Sequence, residues 1–355
     1  MSRGDFKRFE VQDASYRSSK GKERPAPQLP AGVPFVDTHC HLGMLENPGL
    51  AIARAAHRGF QLLVCILDPG ELQPPEGELP AAECLAASDG WLASAHDVLA
   101  GWGEAEVPLL RLRFAVGVHP HNARNYDEVC EQLLTLLHDP RVSCVGEIGL
   151  DYHYDLSPRP VQREVFACQL QLAQQAGLPV QLHLREAHAD ALEILRREGV
   201  PQAGCVLHCF NLDAAAVEPF VQLGCHIAFG GPLTFRKSWY TRDAALHVPI
   251  GKLLTETDAP YMAPEPLRGI ECTPDMTLFT LRMLLDCFGY AGAEAAAAAL
   301  QPRAVDVENG AQPLQLGSID FTALQQGLSE AGFCQRVYEN AATLLDRPPT
   351  PWQLA

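Results

Sequence analysis

No run of eighteen apolar residues occurs in the sequence, and the mean hydropathy is −0.05, so a membrane-spanning helix is not expected. Basic residues are scarce. Lys+Arg number 27 against 43 Asp+Glu in 355 residues, a formal charge of −16. That deficit excludes broad, sequence-independent nucleic-acid binding through a basic face, which works by displacing counterions. If a nucleic acid is the substrate, something other than net charge must hold its phosphates. The first residues, MSRGDFKRFEVQDASYRSSKGKERPAP, lack the apolar stretch of a secretory signal. No C-x-x-C pair occurs among twelve cysteines. Cys65, Cys144, Cys205 and Cys225 lie in apolar runs, so buried thiols in a reducing compartment are expected rather than a disulfide framework or zinc knuckle. A cytoplasmic or nuclear protein follows, with organellar targeting left open.

What the sequence does contain is core material. Hydrophobic residues make up 47% and charged residues 20%, which rules out disorder as the main state. Eight short apolar runs recur along the chain: PFVDTHCHL (34–42), FQLLVCILD (60–68), LRFAVGVHP (112–120), VSCVGEIGL (142–150), PVQLHLRE (179–186), GCVLHCF (204–210), GCHIAFGG (224–231) and GKLLTETDAP (251–260). Helical stretches separate them, and three of these end on Gly177, Gly199 and Gly224, the signature of a left-handed cap. Eight alternating β–α units predict parallel strands joined by right-handed crossovers and closed into a TIM-type (β/α)8 barrel. The competing fold, an open doubly wound sheet, wants a glycine-rich phosphate turn after its first strand, and none is there. The expected organisation is a disordered, mildly basic arm over 1–33 and one barrel domain over 34–355. Insertions are expected at about 69–110 and at the alanine-rich 291–317 stretch, the latter looping out or forming an isolated helix.

The strands turn polar at one end. Strand one finishes Asp37-Thr38-His39-Cys40-His41, and residues two apart share a strand face, so His39 and His41 form a ready bidentate pair. Strand four brings Glu147, strand five His183 and Arg185, strand six His208, strand eight Glu256 and Asp258, and strand three is followed by His119 and His121. Imidazoles and carboxylates collected at the catalytic end of a barrel cost several kcal/mol to bury unpaired, a cost that cations remove. Four histidines and two carboxylates exceed the needs of one ion. Two divalent ions are therefore expected, with Glu147 between them. This ligand chemistry suits zinc, manganese, iron or cobalt better than magnesium, without excluding magnesium.

The motifs VDTHCHL, VGVHPH, VGEIGLDY, QREVFACQLQLA, LPVQLHLREA, LHCF, GGPLTF and TETDAPYMAP resemble, in order and spacing, those of the TatD-like metal-dependent deoxyribonucleases of the amidohydrolase superfamily. The resemblance runs from about residue 34 to 268 and resumes near Asn340. It implies that His39, His41 and Asp258 hold a first metal, that Glu147 bridges, and that His183 and His208 complete a second. It also implies Asp258 as general base beside a metal-activated water, His119 as a pocket histidine and Arg185 as a phosphate clamp. Asp37 is expected to orient a histidine ring. Phe235-Arg236-Lys237 with Arg242 is the best local phosphate patch. The implied activity is hydrolysis of DNA phosphodiester bonds, of the 3′–5′ exonuclease type, on single strands or ends. The alternative is an amidohydrolase-type esterase or deacylase, for example on aminoacyl-tRNA, using the same ions. The chain departs from the family in PEPLRGIECTPDM after strand eight and in the alanine-rich insertion.

Overall fold

A computed structural model describes residues 15–75, 77–302, 304–308, 311–312 and 319–347. The eight apolar runs are its strands: β1 (Phe35–Cys40), β2 (Phe60–Leu67), β3 (Arg111–Val116), β4 (Val142–Asp151), β5 (Val180–Arg185), β6 (Cys205–Leu207), β7 (His226–Phe229) and β8 (Leu253–Thr255). Each lies parallel to the next in one eight-stranded sheet. The helices α1 (Pro48–His57), α2 (Ala81–Gly101), α3 (Tyr126–Leu137), α4 (Arg159–Ala176), α5 (His188–Glu198), α6 (Ala214–Gln222), α7 (Trp239–Leu246) and α8 (Thr277–Cys287) alternate with them. The result is the (β/α)8 barrel.

Local chemistry sets the helix ends. Asn47 caps α1 by accepting the Leu50 N–H at 2.9 Å, with Pro48 in the first turn, and Asp213 caps α6 through the Ala216 N–H at 3.0 Å. Gly177 closes α4 in the left-handed region, φ 63° and ψ 26°. Gly224, φ 84°, closes α6 with the same pair of bonds, its N–H to the Val221 carbonyl at 2.9 Å and the Cys225 N–H to the Phe220 carbonyl at 3.0 Å, whereas Gly199 shares the positive φ but is extended in ψ.

The barrel closes where β8 meets β1. Cys40 bridges Ala259, the His41 N–H donates to the Ala259 carbonyl at 2.7 Å, and the Asp258 N–H donates to the His39 carbonyl at 2.9 Å. Asp37 welds this seam. Its carboxylate accepts from the Thr257 N–H at 3.0 Å, from the Thr257 hydroxyl and from the His39 N–H at 3.1 Å. It therefore does not orient a histidine ring, as the sequence suggested. Burial pushes its pKa well above the ordinary carboxylate value despite those donors.

Inside the barrel, Val36, Leu62, Val64, Ile66, Ala115, Val206, Ala228 and Leu254 pack together. The carboxy-terminal helix Glu330–Leu345 plugs the end opposite the polar strand tips, placing Ala341, Leu344 and Leu345 in that core. Asn340 on this helix donates to the Ile250 and Leu253 carbonyls at 2.7 and 2.9 Å. Cys65, Cys144, Cys205 and Cys225 are free and buried, as their apolar surroundings require.

Gly149 marks a close backbone approach within the GEIGLD segment. Its φ is +139°, and a Cβ there would lie 2.2 Å from the His183 carbonyl oxygen. Gly149→Ala should therefore force β4 from β5 and destabilise the fold by roughly 3 kcal/mol or more. Urea unfolding checks this, and an unchanged midpoint would refute it.

Two segments differ from the expected arm and isolated helix. Residues 1–14 lie outside the described residues, but Tyr16–Arg17 and Glu23–Arg24 pair as a short antiparallel hairpin. Tyr16 is buried because Asp275 and the guanidinium groups of Arg54 and Arg58 surround its ring. The alanine-rich stretch forms a helix, Ala293–Leu300, that buries Ala296 and Leu300 and accepts the Arg242 guanidinium at the Ala299 carbonyl. Residues 303, 309–310 and 313–317 of that insertion lie outside the described residues. Among the described residues no helix is long and apolar enough to cross a membrane.

Candidate metal centre

The strand tips bring His39, His41, Glu147, His183, His208 and Asp258 into one cluster. Glu147, 5% exposed, lies at its centre. One carboxylate oxygen, Oε1, is 2.7 Å from His183 Nδ1 and 2.6 Å from His208 Nε2, while Oε2 is 3.5 Å from His39 Nε2. Asp258 Oδ1 faces His41 Nε2 at 3.3 Å and His39 Nε2 at 3.8 Å. Asp258 adopts φ 63°, a strained backbone for a non-glycine residue, of the kind held at functional turns. The trio His39–His41–Asp258 and the trio His39–Glu147–His208 each offer ligand atoms within 4.8 Å of one another.

The outward ring nitrogens decide what the inward ones can do. Gln181 Nε2 donates to the Thr38 carbonyl at 2.9 Å, so its Oε1 is the acceptor for His39 Nδ1–H at 2.8 Å. His183 Nε2–H faces Asp151 Oδ2 at 3.2 Å. His208 Nδ1–H faces Glu256 Oε1 at 3.3 Å, the same oxygen that accepts the Cys209 N–H at 2.6 Å. With the proton on the outer nitrogen, each inner nitrogen presents a lone pair to a carboxylate. Lone pair against carboxylate is repulsive without a cation between them. His39 Nε2 is moreover buried with no hydrogen-bond partner. These donors fit divalent metal.

The ionisation shifts show what the cluster does without an ion, when protons on the imidazoles balance Glu147. Burial alone would raise Glu147, yet His208, His39 and His183 hold it well below the usual carboxylate range. Burial alone would lower His208, but Glu147 and Glu256 lift it well above an ordinary imidazole. His119 behaves oppositely: burial, reinforced by His183, keeps it well below the ordinary value and hence neutral. Its Nδ1 accepts the His121 N–H at 3.2 Å, which leaves Nε2–H as a donor 3.9 Å from Glu147.

Two readings of basic residues resolve differently. Arg242 is buried and spends its guanidinium on the Leu233, Phe235 and Ala299 carbonyls, so it holds α7 and its neighbours rather than phosphate. Arg236 and Lys237 remain exposed. Arg185 forms no ion pair with Glu186, whose carboxylate takes His153 Nδ1 at 2.7 Å. Gln181, Asp151 and Glu256 do more than the sequence reading gave them. A signal existed for two of them: Gln181 and Asp151 sit two and four residues from His183 and Glu147 on the same strands, the spacing of a shared face.

Comparison with known proteins identifies the family. The family model described as TatD related DNase matches residues 36–301. The metal-dependent hydrolase YcfH of Escherichia coli K12, itself uncharacterised, is 37% identical over 250 residues, 68% of this chain and 83% of its own. The 3′-5′ ssDNA/RNA exonuclease TatD of Edwardsiella piscicida is 40% identical over 154 residues, 43% of this chain and 59% of its own. Among solved structures, the TatD homologue YjjV of Escherichia coli K12 superposes with a TM-score of 0.62 at 26% identity, covering 88% of this chain and 98% of its own.

Proposed function

Since the chain belongs to the TatD family of metal-dependent hydrolases, we propose that it is a nuclease that cleaves DNA phosphodiester bonds, of the 3′–5′ exonuclease type, through two divalent ions held at the strand tips. The observation that carries this reading is the convergence of three imidazoles on Glu147, with the outer N–H of His39 and of His183 already hydrogen-bonded and that of His208 facing Glu256. Relatedness to a protein named as a 3′-5′ ssDNA/RNA exonuclease supports the substrate class.

In this proposal His39, His41 and Asp258 would hold one ion, His183 and His208 the other, with Glu147 a ligand shared between them, and bound magnesium, manganese or zinc would supply an activated water and neutralise charge on the phosphate. The protein does the rest. Asp258, kept anionic because His41 and His39 outweigh its burial, accepts the proton of the attacking water. The neutral His119 turns its Nε2–H toward the site, where it donates to a phosphate oxygen. Arg185 offers guanidinium donors with no carboxylate competing for them among the described residues. Metals in place of lysines also explain how a chain of charge −16 holds a polyanion.

The test is cleavage of end-labelled single-stranded DNA by purified protein with magnesium, manganese or zinc, against chelator. A metal-dependent ladder shortening from the 3′ end is the expected result. No cleavage by protein that elemental analysis shows to be loaded would overturn it and move the chemistry to carboxylic esters and amides.

Gln181 gives a second check. Gln181→Ala frees His39 Nδ1 without touching an inner nitrogen, so metal affinity should fall about 10- to 100-fold. Titration against a competing chelator measures it, and unchanged affinity would show that His39 needs no such anchor.

A further inference from the structure

Beyond the metal cluster, at the same end of the barrel, Tyr154 is 48% exposed, in the loop that follows β4. An exposed tyrosine is ordinary. A fixed one is not, and this ring is held on several sides. The Tyr154 N–H donates to Asp151 Oδ1 at 2.8 Å. His121 packs edge-on at 5.3 Å between centroids and His153 at 4.9 Å. The Arg185 guanidinium lies over the ring, 4.7 Å from its centroid. His121 is in turn 6.0 Å from His183 by ring centroids, so Tyr154 stands two ring contacts from a residue of the candidate metal centre.

We propose that Tyr154, with Arg185 stacked on it, is the platform that receives a nucleobase next to the phosphate being cleaved, and that the substrate is accordingly a single strand or a frayed end. The inference rests on the nuclease reading above and goes past it to the residue that selects the substrate's form. An aromatic face serves any base, because every base has a π-face, and stacking adds affinity that does not depend on lysines. That matters here, since Arg242 is consumed by backbone carbonyls. A base still stacked within a duplex cannot reach such a platform without being drawn out of the stack. Arg185 then serves two parts of one nucleotide: its plane extends the stacking surface, and its edge donors remain for the phosphate.

The experiment compares wild type, Tyr154→Ala and Tyr154→Phe on a fluorescein-labelled single strand, made as DNA and as RNA, and on a strand whose two 3′-terminal residues are abasic. Binding is read by fluorescence anisotropy in chelator, where no turnover occurs, and KM and kcat are read with metal. Tyr154→Ala should raise Kd and KM for the intact strand about 5- to 100-fold, with kcat within about two-fold. Tyr154→Phe should keep wild-type values, and the abasic strand should not distinguish the three proteins. Equal losses on intact and abasic strands, a fall in kcat with loss of bound metal, or no change on the intact strand would each overturn the proposal. Wild-type protein that binds the strand without cleaving it would sink the nuclease reading alone, and the Kd of Tyr154→Ala would still decide the platform. Wild-type protein that neither binds nor cleaves strands would sink both.

Discussion

Replacing Glu147 by Ala is expected to lower phosphodiester turnover by about a thousand-fold or more while leaving the metal-free protein as stable as wild type, or more so. The two halves have one cause. Glu147 is the carboxylate toward which His39, His183 and His208 all turn, so its removal takes a ligand from both proposed ions and with it most of the stabilisation of transferred charge. Without metal the same carboxylate is a buried anion that the imidazoles balance only by taking up protons, and Ala removes that buried charge and lets the rings return to their neutral forms at the expense of a small cavity. Metal should therefore raise the melting temperature of wild type and not of the variant, because binding to the native state alone stabilises it by mass action. Thermal melts with and without chelator, elemental analysis and kcat together check this. A variant that melts far below wild type in chelator would show Glu147 to be structural, and one that keeps both ions and activity would remove it from the centre.

Arg54→Ala should cost about 3–5 kcal/mol of folding stability, the penalty for leaving a buried charge without its partner. Arg54 is 6% exposed and Asp275 fully buried, with Arg54 Nη2 and Asp275 Oδ2 3.1 Å apart. Arg54 Nη1 also holds the Ser15 carbonyl at 3.1 Å, and Tyr16 donates its hydroxyl to the Asp275 carbonyl at 3.1 Å. The variant therefore loses the amino-terminal hairpin's anchor as well as the ion pair. Among the described residues Asp275 keeps one side-chain donor, the Thr273 hydroxyl at 2.6 Å, too little to solvate a carboxylate in the core. Arg54→Met combined with Asp275→Asn should recover part of the loss, since no buried charge then remains. Urea unfolding of the two variants decides it. A single variant within about 1 kcal/mol of wild type would mean that water reaches Asp275.

The barrel and the six clustered residues were legible in the sequence for a local reason. Short β-branched runs bounded by helices report strands through composition alone, and a strand tip that turns from Val36 to Asp37, His39 and His41 reports its polarity along the chain. Six such tips turned polar in the same direction must meet once the strands are parallel.

What the sequence by itself determined, then, was which side chains arrive at the catalytic end of the barrel, because strand direction and side-chain alternation follow from neighbours along the chain. Only the tertiary structure decided what each one touches. Gln181 reaches His39 from a strand 142 residues away, Glu256 reaches the Cys209 N–H across 47 residues, and Asp37 joins Thr257 across 220 to close the seam. Arg242 turned inward to backbone carbonyls, and Tyr16 was drawn from the expected arm into a pocket of arginines. Hydrogen bonds of this kind depend on register and closure, which fix atoms to within an ångström, whereas hydrophobic periodicity specifies only a face.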